Sequence, residues 1–550
     1  MSDCKLEPIT KVAAKLGLTS ENVYAYGPYK AKLPLSLMRK NPKGKLILVT
    51  ATSPTPLGEG KTTMAIGLAD AMAKLGKSVC AALREPSMGP TFGLKGGACG
   101  GGQAKIVPEN EINLHFTGDF AAITQANNLI AACLDNHIYW GNELQIDPAK
   151  IVFKRALDLN ERSLRNFNYL IKQPKSVENQ QTYNVSGQFN ITAASELMAI
   201  FGLASDFKDL RQRLDNILLA FNFNSEPVYL RSLKITDALL LILKDAFNPN
   251  LVQTAKHNPA IVHGGAFANI ANGTNSFVST KLACSLADYV VTEAGFGADL
   301  GLEKYFDLLA GPRQLKVDCV VLVTSLRALK YQAGLALKDT TKENLCALET
   351  GLANLKRHMQ IIQNFQVPFV VCLNKFANDT ETEINFLKAK LNEQGLTLAV
   401  ADVFSQDSEG ADDLAHKVIQ KIVSEANVAN AKQLFSENAD LMTKLTCIAK
   451  QIYGAKDVSL SEEAEADLAL IRQQGWESMS LCIAKTPSSF TDQANLLNAP
   501  TDFTLHVTSF SAYRGANFIV AHCGKILTMP GLPKKPAACE MICSDAEINL

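Results

Sequence analysis

The chain has 550 residues, and its 54 Lys and Arg side chains are balanced by 54 Asp and Glu side chains. A protein dedicated to nucleic acid normally carries a basic excess, so the charge balance argues against that class of partner. The most apolar short runs, at 319–323 and 367–373, are far too short to span a bilayer, and we expect no membrane partner. A chain of this length predicts roughly three or four domains.

The 13 cysteines are scattered, odd in number and contain no Cys-x-x-Cys pair. Neither a disulfide framework nor a zinc site is indicated by this spacing. Residues 1–7 include no apolar signal segment, so we do not expect secretion. Together these features predict a cytoplasmic protein whose thiols are reduced.

An apolar strand at 46–50 leads into a Gly-Lys-Thr turn, and apolar residues at helical spacing follow from Met64 to Leu75. A strand, a glycine-rich turn and a helix N-terminus in this order form a phosphate cradle, because backbone N–H groups and the helix dipole face the anion. Lys61 is expected to reach the β- and γ-phosphates of ATP, and the Thr62 hydroxyl to hold Mg²⁺.

This P-loop pattern is imperfect, because Thr55 stands where the standard motif has glycine. The alternative is an ordinary strand–turn–helix with a chance Gly-Lys-Thr. The flanking strand and helix are the context that the motif requires, and they favour nucleotide binding. The predicted cofactor-binding residues are Thr55, Pro56, Leu57, Gly58, Glu59, Gly60, Lys61, Thr62 and Thr63.

Strand-like runs alternate with helical patterns through most of the chain. This alternation predicts an α/β fold whose large domain is a P-loop-containing, doubly wound parallel sheet. We assign residues 1–150 and 255–423 to that domain. Residues 151–254 read as a helix-rich inserted subdomain, and residues 424–550 as a C-terminal α/β domain. The clearest strands are predicted at 46–50, 79–83, 289–292, 319–324, 369–373 and 397–403.

Seven glycines between positions 89 and 102 follow the strand that ends at Arg84 and Glu85. A flexible linker is one interpretation. A ligand-contacting loop is the better one, because ligands of open α/β sheets bind at the carboxyl ends of the strands and glycine lets the backbone approach closely. His115 and Asp119 come shortly afterwards and are candidate catalytic residues, although a lone histidine often has only a structural role.

Glu293 ends another predicted strand and is followed by a second glycine-containing loop. A carboxylate at this place in a nucleotide domain suits an outer-shell Mg²⁺ partner or a residue that orients water. Capping of the next turn is a comparably good explanation. We therefore name Thr62 and Glu293 as the candidate metal residues.

Several of these segments strongly resemble formate–tetrahydrofolate ligase, also called formyltetrahydrofolate synthetase, in its monofunctional form. The resemblance extends over essentially the whole chain. It rests on motifs that are specific only in combination: Thr55-Pro-Leu-Gly-Glu-Gly-Lys-Thr-Thr63, Arg84-Glu-Pro-Ser-Met-Gly-Pro90, Asn113-Leu-His-Phe-Thr-Gly-Asp119, Thr292-Glu-Ala-Gly-Phe-Gly-Ala-Asp-Leu-Gly301 and Met529-Pro-Gly-Leu-Pro533.

The resemblance implies that ATP, formate and tetrahydrofolate are converted to 10-formyltetrahydrofolate, ADP and phosphate through formyl phosphate. It implies that Arg84 holds formate and that Glu85 lies near a monovalent cation, K⁺ or NH₄⁺. By the same carry-over, His115 and Asp119 position groups or transfer protons. The candidate catalytic residues are therefore Lys61, Arg84, Glu85, His115 and Asp119. Phe376 and Phe404 would form the slot for the pterin, and the family suggests a homotetramer.

Two alternatives stay open at this point. One is a P-loop ligase that activates a different carboxylic acid, and the other is a nucleotide-gated switch protein without ligase activity. Both would use the same phosphate cradle. The formation of a folate product from ATP and formate distinguishes them from the implied reaction.

Overall fold

The structure is a computed structural model, and it describes residues 6–56, 58–93, 99–426, 431–524 and 526–543. Leu57 of the predicted phosphate cradle lies outside these ranges, as does the middle of the glycine-rich segment at 94–98. Within the described ranges, no helix is long and apolar enough to cross a membrane.

The strands lie throughout the chain, and the six predicted from the sequence are all present with shifts of at most a few residues. Their bounds are β1 (Tyr24–Ala25), β2 (Ala31–Lys32), β3 (Lys45–Ala51), β4 (Val79–Leu83), β5 (Gly100–Gly101), β6 (Ala104–Val107), β7 (Ile146–Ile151), β8 (Arg155–Leu157), β9 (Phe167–Lys172), β10 (Thr182–Gly187), β11 (Phe189–Ile191), β12 (Leu218–Asn222), β13 (Pro227–Tyr229), β14 (Asn250–Thr254), β15 (Pro259–Val262), β16 (Tyr289–Glu293), β17 (Cys319–Thr324), β18 (Phe369–Asn374), β19 (Leu398–Ala401), β20 (Asp457–Leu460), β21 (Ser480–Ala484), β22 (Thr504–Val507), β23 (Ser509–Tyr513) and β24 (Phe518–His522).

The helices alternate with these strands over most of the chain. Their bounds are α1 (Ile9–Ala14), α2 (Lys61–Lys74), α3 (Met88–Phe92), α4 (Glu109–Asn113), α5 (Asp119–Tyr139), α6 (Glu196–Leu203), α7 (Phe207–Asp215), α8 (Thr236–Leu243), α9 (Phe277–Leu286), α10 (Leu326–Gln332), α11 (Leu345–Asn364), α12 (Glu381–Asn392), α13 (Val403–Gln406), α14 (Asp412–Ser424), α15 (Leu441–Ile448) and α16 (Glu462–Gln473). Turns with π-helical hydrogen bonding occur at Ala298–Leu302, Tyr305–Ala310 and Ala449–Tyr453.

The largest sheet has the strand order β1-β2-β14-β15-β4-β16-β3-β17-β18-β19. Its seven consecutive strands from β15 to β19 run parallel, whereas β14 is antiparallel to both of its neighbours in this order. In this sheet β4 lies on one side of β3, whereas β17, β18 and β19 follow one another on its other side. The order in which the chain adds strands therefore reverses its direction at β3. The crevice beside β3 is therefore the place where ligands of open parallel sheets bind.

Both faces of this sheet are covered, and strand β3 shows how. Leu46 and Leu48 pack into an apolar cluster with residues of α9 and α11. The alternate residues Ile47 and Val49 pack into a second cluster with residues of α2 and α14. Successive strand side chains point to opposite faces, so a strand buried on both sides needs an almost continuous apolar sequence.

The expectation that residues 151–254 are helix-rich is wrong for the first part of that segment. Strands β8 to β11 all lie within 155–191, and β9 pairs with β10 in an antiparallel ladder from Phe167↔Gly187 to Lys172↔Thr182. The sequence of these strands alternates polar residues with Phe, Tyr, Val and Ile, which suits a half-buried strand better than a helix. Residues 250–254 belong to the large sheet as β14. The division of the chain into domains stays a prediction.

The C-terminal part contains both strands and helices, as expected, and it contacts the central part through buried polar groups. Lys485 follows β21 and forms a fully buried ion pair with Asp299, at 2.8 Å. Glu196, the first residue of α6, accepts a hydrogen bond of 2.7 Å from the Gly515 backbone N–H. Segments separated by almost 200 residues or more are thus joined directly.

Candidate active site

The candidate phosphate cradle lies at the carboxyl end of β3. Gly58 and Gly60 have φ angles of 82° and 69°, which glycine reaches without steric cost. Thr55 keeps a negative φ, so the absence of glycine there creates no backbone strain. Helix α2 begins at Lys61 immediately after this turn, and the backbone N–H groups at the N-terminus of a helix suit an anion.

Glu59 fixes the shape of this turn from inside. Its carboxylate accepts hydrogen bonds from the Thr55 backbone N–H at 2.8 Å and from the Ser325 hydroxyl at 2.7 Å. Its backbone carbonyl accepts a bond of 3.2 Å from the Asn374 amide. Burial raises the pKa of Glu59 above its ordinary value. The side chain and the backbone carbonyl of this predicted nucleotide-binding residue thus fix the turn to the ends of β17 and β18, respectively.

Glu293, at the end of β16, connects the cradle to the adjacent strand end. The Thr62 hydroxyl donates to Glu293 Oε2 at 2.8 Å, and the Arg84 guanidinium lies 3.7 Å from Oε1. Thr274 donates to the Glu293 backbone carbonyl at 2.7 Å. The buried Nε of Arg84 has no hydrogen-bond partner among the described residues. The hydroxyl of Thr62, the carboxylate of Glu293 and the guanidinium of Arg84 therefore lie close together.

A second buried cluster surrounds Asp119, the first residue of α5. Asp119 accepts hydrogen bonds from Lys32 Nζ at 2.5 Å and from the Asn250 amide at 2.7 Å. Burial, followed by the repulsion of the Asp119 carboxylate, raises the pKa of Glu85 well above its ordinary value and favours its neutral form. The Glu85 Oε2 atom has no hydrogen-bond partner in the described structure. Two of the predicted catalytic residues are thus neighbours.

His115 occupies a different environment from Asp119. Its side chain is exposed, in the turn between α4 and α5, and its backbone carbonyl accepts a bond of 2.7 Å from the Gly118 N–H. Gly118 then provides the N-cap of α5 with a φ of 93°. The contacts of His115 among the described residues are those of a turn residue, and its catalytic role stays a prediction.

The described end of the glycine-rich segment packs against the predicted pterin residue Phe404. A Cβ atom on Gly102 would lie 2.1 Å from the Phe404 carbonyl oxygen, and one on Gly101 would lie 3.6 Å from the Thr63 hydroxyl. The Gln103 N–H donates to the Phe404 carbonyl at 3.0 Å. A Cβ atom on Gly101 would make ordinary contacts of 3.4 Å or more, whereas Gly102 leaves no room for one, so this part of the segment is a packed hairpin rather than a flexible linker.

The family model of formate–tetrahydrofolate ligase matches residues 1–549, which is essentially the complete chain. The chain belongs to the formate–tetrahydrofolate ligase family. It is therefore an ATP-dependent ligase that joins formate to tetrahydrofolate. The phosphate cradle and the adjacent cationic crevice agree with that reaction, because two anionic substrates have to be held close together.

In this ligase the two predicted pterin residues follow adjacent parallel strands. Phe376 lies two residues beyond β18 and Phe404 three residues beyond β19, and these strands pair in register at Asn374 and Ala401. The Phe404 side chain is 59% exposed. One face of Phe376 is covered by Arg327, whose guanidinium carbon lies 4.3 Å from the ring centroid. Both rings thus follow the carboxyl ends of neighbouring strands and lie at the same edge of the sheet.

Sequence reasoning missed Lys32, which is 2% exposed and lies at the end of β2. Its ammonium group donates to Asp119 and also to the backbone carbonyls of Asn248 at 2.9 Å and Ala246 at 3.3 Å. All three donors of the ammonium are used, and its charge offsets that of Asp119. The lysine is 87 positions from Asp119 in the sequence. No local motif marks it.

Proposed function

We propose that this ligase activates formate as formyl phosphate in the crevice formed by Lys61, Arg84 and the N-terminus of α2. A formate oxygen attacks the γ-phosphorus of ATP, and the bond from that phosphorus to the bridging oxygen of ADP breaks. The N10 amine of tetrahydrofolate then attacks the formyl carbon and loses a proton, while phosphate leaves with the bonding electrons. The convergence of Thr62, Glu293 and Arg84 supports this proposal most directly.

Formate is a poor acyl donor, because its carboxylate is anionic and offers no leaving group. Phosphorylation creates a mixed anhydride from which phosphate departs readily. Before that step the protein has to overcome the repulsion between formate and the γ-phosphoryl group. Preorganised cations and N–H donors do this in a site that excludes water. In this proposal Lys61 contacts the β- and γ-phosphates and Arg84 holds formate.

Thr62 and Glu293 would hold Mg²⁺. Their hydroxyl and carboxylate oxygens are 2.8 Å apart, and oxygen donors of this kind are the ligands that Mg²⁺ prefers. The ion would neutralise charge on the phosphate oxygens when bound. A monovalent cation, K⁺ or NH₄⁺, is also part of the proposal. The buried Oε2 of Glu85, which lacks a hydrogen-bond partner in the described structure, is an oxygen that suits such an ion.

Phe376 and Phe404 are proposed to hold the pterin ring of tetrahydrofolate between them. Aromatic stacking contributes about 0.5–1.5 kcal/mol beyond surface burial. The common sheet edge of the two rings supports this role. His115 and Asp119 remain candidates for positioning or proton transfer. The proposal also includes a doubly wound P-loop architecture, which the strand order supports. A cytoplasmic location and a homotetrameric assembly are proposed from the family.

The test is a product assay in which ATP, formate and tetrahydrofolate are incubated with the protein and then acidified. The expected result is the absorbance of methenyltetrahydrofolate, which disappears when any one substrate is omitted. ATP hydrolysis without a folate product would contradict the proposal and favour a nucleotide-gated switch.

Isotope transfer tests the intermediate separately. When formate labelled with ¹⁸O is used, the attack of its oxygen on phosphorus places one labelled oxygen in the phosphate that is released. We expect one ¹⁸O atom per phosphate, measured by mass spectrometry. Unlabelled phosphate accompanied by normal folate product would exclude formyl phosphate as the intermediate.

A further inference from the structure

The turn that carries Phe404 contains a strained and buried acidic residue. Asp407 closes the short helix α13 with φ 51° and ψ −130°, a conformation that glycine adopts readily and other residues rarely do. Its side chain is 3% exposed, and neither carboxylate oxygen has a hydrogen-bond partner within the described ranges. The local hydrogen bonds of the turn do not explain why an aspartate occupies this strained and buried position.

The nearest counter-charge comes from the hairpin turn between β14 and β15. Lys256 Nζ lies 3.4 Å from Asp407 Oδ2, and the lysine is half exposed. The same turn is fixed to the nucleotide helix α2, because Asp70 accepts bonds from the Thr254 hydroxyl at 2.7 Å and the Asn258 amide at 2.6 Å. Burial raises the pKa of Asp407 and raises the pKa of Asp70 to about 7.

Two further contacts fix the backbone at Val403, just before Phe404, and at Phe404 itself. Val403 fills a notch in α2, where a Cβ atom on Gly67 would lie 2.5 Å from Val403 Cγ1. The Phe404 carbonyl accepts the bond from Gln103 described above. The turn of Phe404 is therefore held on one side by contacts with α2 and the β5–β6 hairpin, which precede Phe404 in the chain. On its other side it is held by the Asp407–Lys256 ion pair, which involves the residue three positions after Phe404.

We propose that the Asp407–Lys256 pair is a positioning device that holds the turn of Phe404 in place as one wall of the folate pocket. The ion pair ties the end of α13 to the turn between β14 and β15, and Phe404 lies on α13 three residues before Asp407. The pair does not touch the reacting atoms. This inference rests on the proposed role of Phe404 in binding the pterin.

Two variants test the pair through steady-state kinetics. Lys256→Met removes the counter-charge and keeps the length of the side chain. Asp407→Gly removes the carboxylate while it permits the observed φ. In both we expect the KM for tetrahydrofolate to rise at least fivefold, with kcat and the KM values for ATP and formate within twofold. In the double variant the rise should be no larger than in either single variant, because the two residues act together.

The matched control is Lys74→Met, which removes an ion pair between α2 and Asp412 (3.0 Å) that does not involve the turn of Phe404. Its folate KM should stay unchanged. Asp407→Gly also separates positioning from simple stability. Relief of backbone strain should keep its thermal midpoint at or above that of the wild type while its folate KM rises. An unchanged folate KM in Asp407→Gly, or an equal rise in the ATP KM, overturns the proposal.

A fluorescent reporter tests the same point without catalysis. Phe404→Trp places an indole at the wall, and Trp140→Phe removes the exposed natural tryptophan. Adding Lys256→Met to this background should shift the indole emission, whereas adding Lys74→Met should not. If the wild type forms no folate product, the proposed function fails while this measurement still decides the positioning role. Identical spectra for the two lysine variants contradict it.

Discussion

At the scale of single residues, the crevice beside β3 brings together charges that belong to different strands. Lys61 follows β3, Arg84 follows β4 and Glu293 ends β16. Reacting atoms have to approach to about 3–3.5 Å before chemistry begins, and formate and a γ-phosphoryl group repel each other at that distance. In the proposed mechanism the two cationic side chains have separable tasks, Lys61 toward the nucleotide and Arg84 toward formate.

The first task is tested by Lys61→Ala. In the proposed mechanism the ammonium group stabilises negative charge on the transferred phosphoryl group, so its loss should lower kcat by a factor of about 10²–10³. Turnover is measured by the absorbance of methenyltetrahydrofolate after acid quenching, at saturating ATP. Thermal unfolding of the same variant serves as the control for folding. A folded variant with wild-type turnover would show that Lys61 does not act on the phosphates.

The second task is tested by Arg84→Ala. Charge-assisted hydrogen bonds contribute about 1.5–3 kcal/mol, which corresponds to a roughly 10- to 100-fold rise in the KM for formate. The KM for ATP should change less than twofold. Arg84→Lys should lie between the wild type and the alanine variant, because it keeps the charge and loses the forked geometry. A parallel rise in both KM values would indicate a structural arginine.

Site residues differed in how far the sequence could identify them. Lys61, Thr62 and Arg84 stand in or beside motifs whose residues are contiguous, so their place at strand ends was predictable. Lys32 was not, because it meets Asp119 only when β2 joins the edge of the sheet. The buried ion pair of Asp407 with Lys256 was missed for the same reason, since 151 positions separate the two residues.

At the scale of elements, strands buried on both faces were the easiest to predict. The bounds of β4 and β17 agree with the sequence-based ranges 79–83 and 319–324, because such strands are short apolar runs between polar turns. Strands β9 and β10 were not recognised. Their burial alternates residue by residue, and the helical patterns later in 151–254 dominated the interpretation of that segment.

The hairpin of β5 and β6 gives a prediction at this scale. Gly102→Ala places a methyl group 2.1 Å from the Phe404 carbonyl oxygen, so either the hairpin or the Phe404 turn has to move. Overpacking of this kind costs about 1–3 kcal/mol. We expect this cost to weaken the binding of folate beside the displaced Phe404, so that the folate KM rises roughly 5- to 100-fold. Steady-state kinetics with varied tetrahydrofolate measure it.

Gly76→Ala is the matched control for this variant. Gly76 also has a positive φ, of 75°, but a Cβ atom there meets nothing within 4 Å. Both variants therefore carry the strain of a left-handed alanine, about 1–2 kcal/mol, and both should lose thermal stability. Only Gly102→Ala should change the folate KM. Equal kinetic effects would mean that strain, rather than the contact with Phe404, is responsible.

At the scale of the whole molecule, buried polar contacts connect parts of the chain that are distant in sequence. Lys485 and Asp299 join the C-terminal part to the loop that follows Glu293. Glu196 joins α6 to the turn between β23 and β24 through the backbone N–H groups of Gly515 and Ala516, at 2.7 Å and 3.3 Å. A partly buried carboxylate such as that of Glu196 makes the stability of the assembled chain depend on pH.

Glu196 provides the prediction for this scale. Burial raises its pKa from 4.5 to about 8, so the folded state binds the proton more tightly than the unfolded chain does. The resulting stabilisation is complete below pH 4.5 and is lost as the pH rises to 8. Between pH 6 and pH 9 this group should lower the free energy of unfolding by about 2–3 kcal/mol.

Glu196→Gln removes this titration while the amide oxygen still accepts the bond from Gly515. The variant should therefore lose about 2–3 kcal/mol less stability than the wild type between pH 6 and pH 9, measured by urea unfolding at both values. Glu393→Gln, at an exposed glutamate immediately after α12, should follow the wild type. The same pH dependence in Glu196→Gln and the wild type would show that Glu196 is ionised in the folded protein, and that its link to Gly515 is a charged one.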